Sequence, residues 1–224
     1  MEIAKNINVF FTYCNFKTIY FNFHYLSFTD ALHFPIFLSR NTKLKSVKGK
    51  IKITSRLIPG MIKIGTNEIG LYDKRHNRPV WENMGTVIFH GIAWFKYGTK
   101  IIIGETGTLE FGDNFRLSSG SSIICYKSII FGYNCRISWD TQFIDTDFHK
   151  VFDSNRNQIN PDKAINIGND CWIGNHCLIQ KGTHLRNMIV VASNSMVNSD
   201  CPNSNIILGG SPARVLRTSV TWDD

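Results

Sequence analysis

Near the middle of the chain, Asp145, Asp147 and His149 in the segment DTDFH place two carboxylates and an imidazole at alternating positions. In an extended segment residues two apart share a face, so the three side chains are expected on one side. An imidazole in such a place can remove the proton of an acceptor hydroxyl. A carboxylate two residues away can orient its tautomer and stabilise the imidazolium as it forms. Taken alone, a DxDxH stretch is ordinary on a solvated loop. Its weight comes from its position, after a block of repeats and before the turn-rich, non-repeating stretch KVFDSNRNQINPD, residues 150–162. A long excursion from a regular array usually serves binding, and acceptor binding is the expectation for this one.

The elements that must hold these residues follow from a period of six. Aliphatic residues recur at Ile167, Ile173, Ile179, Leu185, Val191 and Val197. Four positions after each stand Cys171, Cys177, Thr183, Ile189, Ser195 and Cys201. An upstream block runs Phe111, Leu117, Ile123 and, after a step of eight, Phe131, Ile137 and Phe143, with Ser121, Cys135 and Thr141 at fourth positions. A helix repeats every 3.6 residues and a strand every 2, so neither alone produces sixes. Six residues make one short strand plus one corner, and three such units close a triangular coil. Stacked coils pair as parallel strands. The aliphatic residue points inward, the small residue fills the other crowded inward position, and Gly or Asn near the corner accepts unusual backbone angles. Because one coil cannot bury its own apolar face, the array needs stacking and capped ends. Cys135, Cys171, Cys177 and Cys201 fall on the small inward position, which predicts packing rather than nucleophilic chemistry.

The chain has 224 residues, is 43% hydrophobic and 19% charged, and carries 25 Lys and Arg against 17 Asp and Glu, a formal +8. This is a globular composition. The cations are scattered apart from Lys43, Lys45, Lys48, Lys50 and Lys52, so a nucleic-acid partner is not expected. Residues 9–37 are aromatic, but Asn15, Lys17, Asn22, His24 and Asp30 interrupt every apolar run. The runs fall short of the roughly 20 residues of a spanning helix. No secretory signal is read and no CxxC pair occurs, so a reducing cytoplasm is expected, without a zinc knuckle or redox dithiol.

The pattern [LIV]-G-x-x-[STC]-x, the segment AINIGNDCWIGNHCLIQKG and the tail GGSPARV resemble the hexapeptide-repeat acetyltransferases. The nearest in motif are the sugar O-acetyltransferases of capsule, lipopolysaccharide and exopolysaccharide synthesis. The likeness runs from Gly85 to Arg217 and is most specific between Trp139 and Arg214. It implies an all-β, left-handed parallel β-helix, a homotrimer, and acyl-CoA bound in clefts between subunits. It also implies acetyl-CoA as co-substrate, a sugar or glycan acceptor, and no metal. By resemblance His149 is the general base, with Asp147 or Asp145 supporting it. Asn175 and Ser193 match positions whose main chain meets the pantetheine arm. Trp172 walls the cleft, with simple corner packing as its other reading, and Arg214 reaches the nucleotide phosphates. Where relatives often carry Thr-Lys this chain has Asn198-Ser199, and Lys181 or Arg217 is the expected substitute.

The expected organisation is a capping segment over residues 1–48, with Asp30 as a helix N-cap, then a β-helix over 49–205 and a tail over 206–224. The β-helix is interrupted by the excursion at 150–162, and Leu71 to Asn83 loops out. The aromatics beside the lysine cluster also read as a peripheral membrane contact. Three other functions remain open. The first is acyl transfer to an amine, as on amino nucleotide sugars. The second is a zinc enzyme resembling the gamma-class carbonic anhydrases, for which no His pair has the required spacing. The third is a non-catalytic β-helix.

Overall fold

The computed structural model describes residues 15–66, 70, 72–73 and 76–223. The chain winds as a left-handed parallel β-helix with three faces. The first face stacks β1 (Ile36–Leu38), β4 (Ile62–Ile64), β7 (Ala93–Phe95), β10 (Phe115–Leu117), β13 (Arg136–Ile137), β16 (Trp172–Ile173), β19 (Ile189–Val191) and β22 (Ile206–Gly210). The second stacks β2 (Lys43–Ser46), β5 (Val80–Asn83), β8 (Lys100–Ile103), β11 (Ser122–Cys125), β14 (Gln142–Ile144), β17 (Leu178–Gln180) and β20 (Met196–Val197). The third stacks β3 (Lys50–Ile53), β6 (Thr86–Phe89), β9 (Thr108–Phe111), β12 (Ser128–Phe131), β15 (Ile165–Ile167), β18 (His184–Leu185) and β21 (Asp200–Cys201).

The six-residue phase is realised as inward columns. Ile137, Ile173, Val191 and Leu208 stand in register on the first face. Ile123, Phe143, Ile179 and Val197 do so on the second, and all eight are buried. On the third face the upstream column is aromatic: Phe89, Phe111 and Phe131 stack at 5.3 and 5.6 Å between centroids. Burial of each such ring stabilises the coil by roughly 1.5–3 kcal/mol. The small inward positions are filled as expected, with Cys135, Cys171, Cys177, Cys201, Ser121, Thr141, Thr183 and Ser195 buried. Desolvation pushes the Cys171 thiol up to about 12 and raises those of Cys135 and Cys177, so none is a thiolate nucleophile at neutral pH.

At the corner between the third and first faces Asn114, Asn134 and Asp170 take the left-handed conformation, with φ of 57°, 57° and 54°. Their side chains form a ladder, the Asn114 amide donating to Asn134 (2.9 Å) and the Asn134 amide to Asp170 (2.8 Å).

Three boundaries differ from the sequence reading. The coils begin at Ile36, inside the expected cap, because β1, β2 and β3 pair with β4, β5 and β6. Corner lengths vary in this coil, which hides the period of six although the strands are regular. Only α1 (Phe16–Tyr25) and α2 (Phe28–Ala31) cap the described array, N-capped by Asn15 and Ser27 rather than Asp30. Helix α1 covers the free edge of β1. Asn22 donates to the Ile36 carbonyl (2.7 Å) and accepts from its amide (3.2 Å), and the Thr18 hydroxyl accepts from the Leu38 amide (2.9 Å). This satisfies the backbone groups of an edge strand that would otherwise invite pairing. Lastly, residues 206–224 are not a loose tail. Strand β22 continues the first face and β23 (Ala213–Thr218) folds back antiparallel onto it. The segment expected to loop out at 71–83 ends earlier, since Val80–Asn83 is strand β5; its Arg75 lies outside the described residues.

Candidate active site

The predicted catalytic residues gather at the corner between the second and third faces, where β14 hands over to β15. Here the chain departs from the coil over residues 145–164, a longer excursion than 150–162. Asp145 and Asp147 meet opposite fates, contrary to the expected shared face. Asp145 is fully buried. Its carboxylate accepts three backbone N–H groups, from Tyr126 (2.7 Å), Lys127 (2.8 Å) and Ser128 (2.8 Å). These belong to the corner of the preceding coil, where the repeat steps by eight instead of six. The two extra residues open a turn whose amides have no strand partner, and Asp145 supplies it. The carboxylate is therefore structural and does not touch the imidazole.

Asp147 is exposed and faces the coil above. Its carboxylate accepts from the Lys181 ammonium and from the Asn160 amide at 2.8 Å. The same Asn160 amide donates to the His149 carbonyl (2.8 Å), its side-chain oxygen accepts from the Val151 amide (2.6 Å), and its own carbonyl accepts from Lys181 (2.8 Å). Phe148, at φ 61°, turns the chain between Asp147 and His149 and rests edge-on against Tyr126 at 5.2 Å. His149 thus sits on a backbone pinned from both sides with its side chain exposed to solvent. Neither aspartate reaches the ring within ion-pair distance, so carboxylate support of the imidazole is not present in this arrangement.

Lys181 and Asn160 are the residues that the sequence reading missed here. Lys181 is one of the two expected substitutes at the cofactor phosphates, with Arg217, and in the structure its ammonium pairs with Asp147. Its signal was the register: Ile144 pairs with Gln180, which puts Lys181 at the next coil's copy of this corner. The Lys181 ammonium, with the Asn160 amide, holds the Asp147 carboxyl below the usual carboxylate range. A depressed folded value means the contact stabilises the loop above the ordinary Asp value of about 3.9, and that this is lost as pH falls through the lower folded value. Asp147→Asn should therefore show faster hydrogen exchange than wild type over residues 146–163 at pH 7. The difference should vanish as the wild type is acidified into the depressed range. Equal exchange at pH 7 would show that the clamp does not hold the loop.

The predicted cofactor-binding residues lie at a different corner, between the first and second faces. Gly174 lets the coils approach closely, since a Cβ there would meet the Ser193 amide at 2.7 Å and the Val191 carbonyl at 2.8 Å. The hydroxyl of Ser193 donates to the Asn175 side-chain oxygen, and the Asn194 amide donates to the Asn175 carbonyl at 3.0 Å. Trp172 is 42% exposed. Its indole donates to the Ser138 hydroxyl (3.2 Å) and its ring lies 6.2 Å from that of Trp222. Trp222, anchored to the Asp170 carbonyl at 2.7 Å, carried no repeat signal. Arg214 is separate again. On β23, it lines a cleft of about 210 Å³ with Val197, Ser199, Asp200, Pro202 and Leu208. Its guanidinium donates to the adjacent Ala213 carbonyl, leaving other donors of the fork for an anion. Arg217 lies on the same strand, paired with Ile207. Among the described residues of the single chain no group of three His, Cys, Asp or Glu side chains is placed to hold a metal ion.

No family model matches the chain. It is 28% identical over 201 residues to an uncharacterized 24.8 kDa protein in the cps region of Klebsiella pneumoniae, covering 89% of this chain and 86% of that one. With galactoside O-acetyltransferase of Escherichia coli K12 it shares 30% identity over 125 residues, 56% of this chain and 57% of that enzyme. With the E. coli K12 putative lipopolysaccharide biosynthesis O-acetyl transferase WbbJ it shares 26% over 145 residues, covering 60% and 73%. Among solved structures, the polySia-specific acetyltransferase NeuO superposes with a TM-score of 0.49 at 23% identity over 84% of each chain. In its six-residue repeat, and in sequence over part of its length, the chain is similar to these O-acetyltransferases.

Proposed function

We propose that the chain transfers an acetyl group from acetyl-CoA to a sugar hydroxyl, with His149 as general base, in the assembly of a surface polysaccharide. The observation that carries this reading is the exposed imidazole of His149 on a backbone held rigid by Asp147, Asn160 and Lys181. In the proposed step His149 takes the hydroxyl proton while the oxygen attacks the thioester carbonyl carbon. The tetrahedral oxyanion collapses, the C–S bond breaks, and the leaving thiolate receives the proton from the imidazolium. No acyl-enzyme is needed, in keeping with the burial of every cysteine among the described residues. The similarity to a galactoside O-acetyltransferase and to a putative lipopolysaccharide O-acetyltransferase supports a sugar acceptor. Acetyl-CoA is a cytoplasmic metabolite, which gives the reaction its compartment.

The reading includes a homotrimer. His149 and the pair Asn175 and Ser193 occupy opposite edges of the second face of one chain, so a complete site draws the second half from a neighbour. That face presents an outward apolar stripe, Ile102, Ile124 and Ile144 in register with Leu178 and Met196 alongside, which suits packing against another copy. Acetyl-CoA turnover measured against a panel of sugars and nucleotide sugars, with the product located by mass spectrometry, tests the chemistry. Ester formation on a sugar by a species of trimeric mass is the expected result. Amide formation only, or full activity from a monomer in light scattering, would overturn the corresponding part.

Arg214 tests the cofactor assignment. If its guanidinium meets a CoA phosphate, Arg214→Ala should weaken acetyl-CoA binding by about 1.5–3 kcal/mol. Calorimetric titration reads this directly, and an unchanged Kd would remove Arg214 from the site.

A further inference from the structure

The capped end of the β-helix carries apolar residues that no core consumes. Helix α1 buries Thr18, Phe21 and Asn22 against the first coil. Its opposite side shows Phe16 (81% exposed), Ile19 (41%), Tyr20 (41%) and Phe23 (38%), spaced i, i+3, i+4 and i+7 as one helical face. The face continues through Phe28, 70% exposed and 5.6 Å from Phe23 between centroids, to Leu32 at 55%. Single exposed apolar residues need no explanation, but a contiguous aromatic face marks an interaction surface.

The coil under this helix is cationic. Exposed Lys43, Lys48, Lys50, Lys52 and Arg56 all belong to the first coil or to the segment that leaves it. Of the coil's lysines only Lys45 has an acidic partner among the described residues, Glu82 at 2.6 Å. Lys17, on α1 itself, is turned inward to the carbonyls of Arg40 and Thr42 (2.8 and 2.7 Å), and burial with the nearby Arg78 lowers its pKa. His24 is likewise tied to the Val47 carbonyl. The cations therefore stand on the strands and connecting segments of the first coil, not within the apolar face.

A short aromatic helix lying flat beside a group of unpaired lysines is complementary to an anionic bilayer. Rings sink into the boundary of head groups and acyl chains, and ammonium groups meet lipid phosphates. We propose that α1, α2 and the lysines of the first coil form a docking surface for an anionic lipid membrane. This lies beyond the acetyl-transfer reading and does not depend on it. If both hold, the coil axis stands away from the membrane on its capped end, with the His149 corner several coils distant.

Co-sedimentation of the full chain tests this with phosphatidylcholine vesicles and with vesicles containing phosphatidylglycerol. Binding should be at least about 10-fold tighter to the anionic vesicles. It should also weaken in high salt, where the screening length contracts to about 3 Å at 1 M. Lys48→Glu/Lys50→Glu/Lys52→Glu should lower the anionic affinity by 100-fold or more, since each cation near the surface is worth about 5-fold. Phe16→Ser/Ile19→Ser/Phe23→Ser should lower it by at least about 10-fold, with an unchanged melting temperature showing that the buried side of α1 still caps the coil. Absent or equal binding to both vesicle types overturns the proposal. So does an aromatic variant that binds vesicles as wild type does but loses oligomeric mass, for then the face is a contact between copies.

Discussion

His149→Ala should lower the turnover of acetyl transfer by about 10²- to 10⁴-fold, the usual cost of removing a positioned general base. The expectation is sharp because the imidazole does nothing else. Its ring makes no hydrogen bond among the described residues, and it is the residue's backbone that Asn160 holds. Acetyl-CoA affinity and melting temperature should therefore stay at wild-type values while kcat collapses. His76→Ala and His184→Ala are the matched controls. His76 is a surface residue near Asp73, and His184 sits outward on β18 at 3.7 Å from Asp200. Steady-state kinetics on the true acceptor decides the matter. Retention of more than about a third of wild-type turnover would remove His149 from the chemistry, and loss of stability in parallel would make it a structural residue.

The second large effect falls on stability. Asp145→Ala should cost about 3–5 kcal/mol, since it strips three short charge-assisted bonds from a fully buried carboxylate and leaves the amides of Tyr126, Lys127 and Ser128 unsatisfied. In a chain of this size that corresponds to a fall in Tm of roughly 6–20 °C. Asp145→Asn should fall between, since one oxygen remains to accept while the amide group faces donors. Thermal unfolding followed by circular dichroism reads both. A shift under about 2 °C for Asp145→Ala would mean that water replaces the carboxylate at this corner. The two variants also separate the two acidic residues of the segment, because Asp147→Asn should loosen the loop with little effect on the coil.

The period of six was legible because in this fold sequence spacing and spatial stacking are the same quantity. When a coil holds 18 residues, Ile167 meets Leu185 and Ile173 meets Val191. A list of inward residues is thus already a list of contacts. The buried cysteines followed from the same rule, as did the position of His149 at a break in the array. The first coil was only partly legible: Lys50–Ile53 falls inside the expected β-helix, but Ile36–Leu38 and Lys43–Ser46 fall in the expected cap, because uneven corners erase the period there.

At the candidate site the chain's own order was sufficient for residue types and insufficient for roles. Asp145 and Asp147 are the same side chain two positions apart. Which of them is buried depends on three amides donated by another coil, on Phe148 reversing the backbone, and on Lys181 approaching from the coil beyond. Those partners lie 17 to 34 residues away and are brought close by coil stacking and by the loop's path. Sequence alone determined the repeat, the inward core and the candidate base, because each is a local spacing repeated. Only the tertiary structure decided which carboxylate is structural, what clamps the loop and which corner each half of the site occupies. Those are set by where backbone donors and charges converge, and convergence is a property of the stack and not of the spacing.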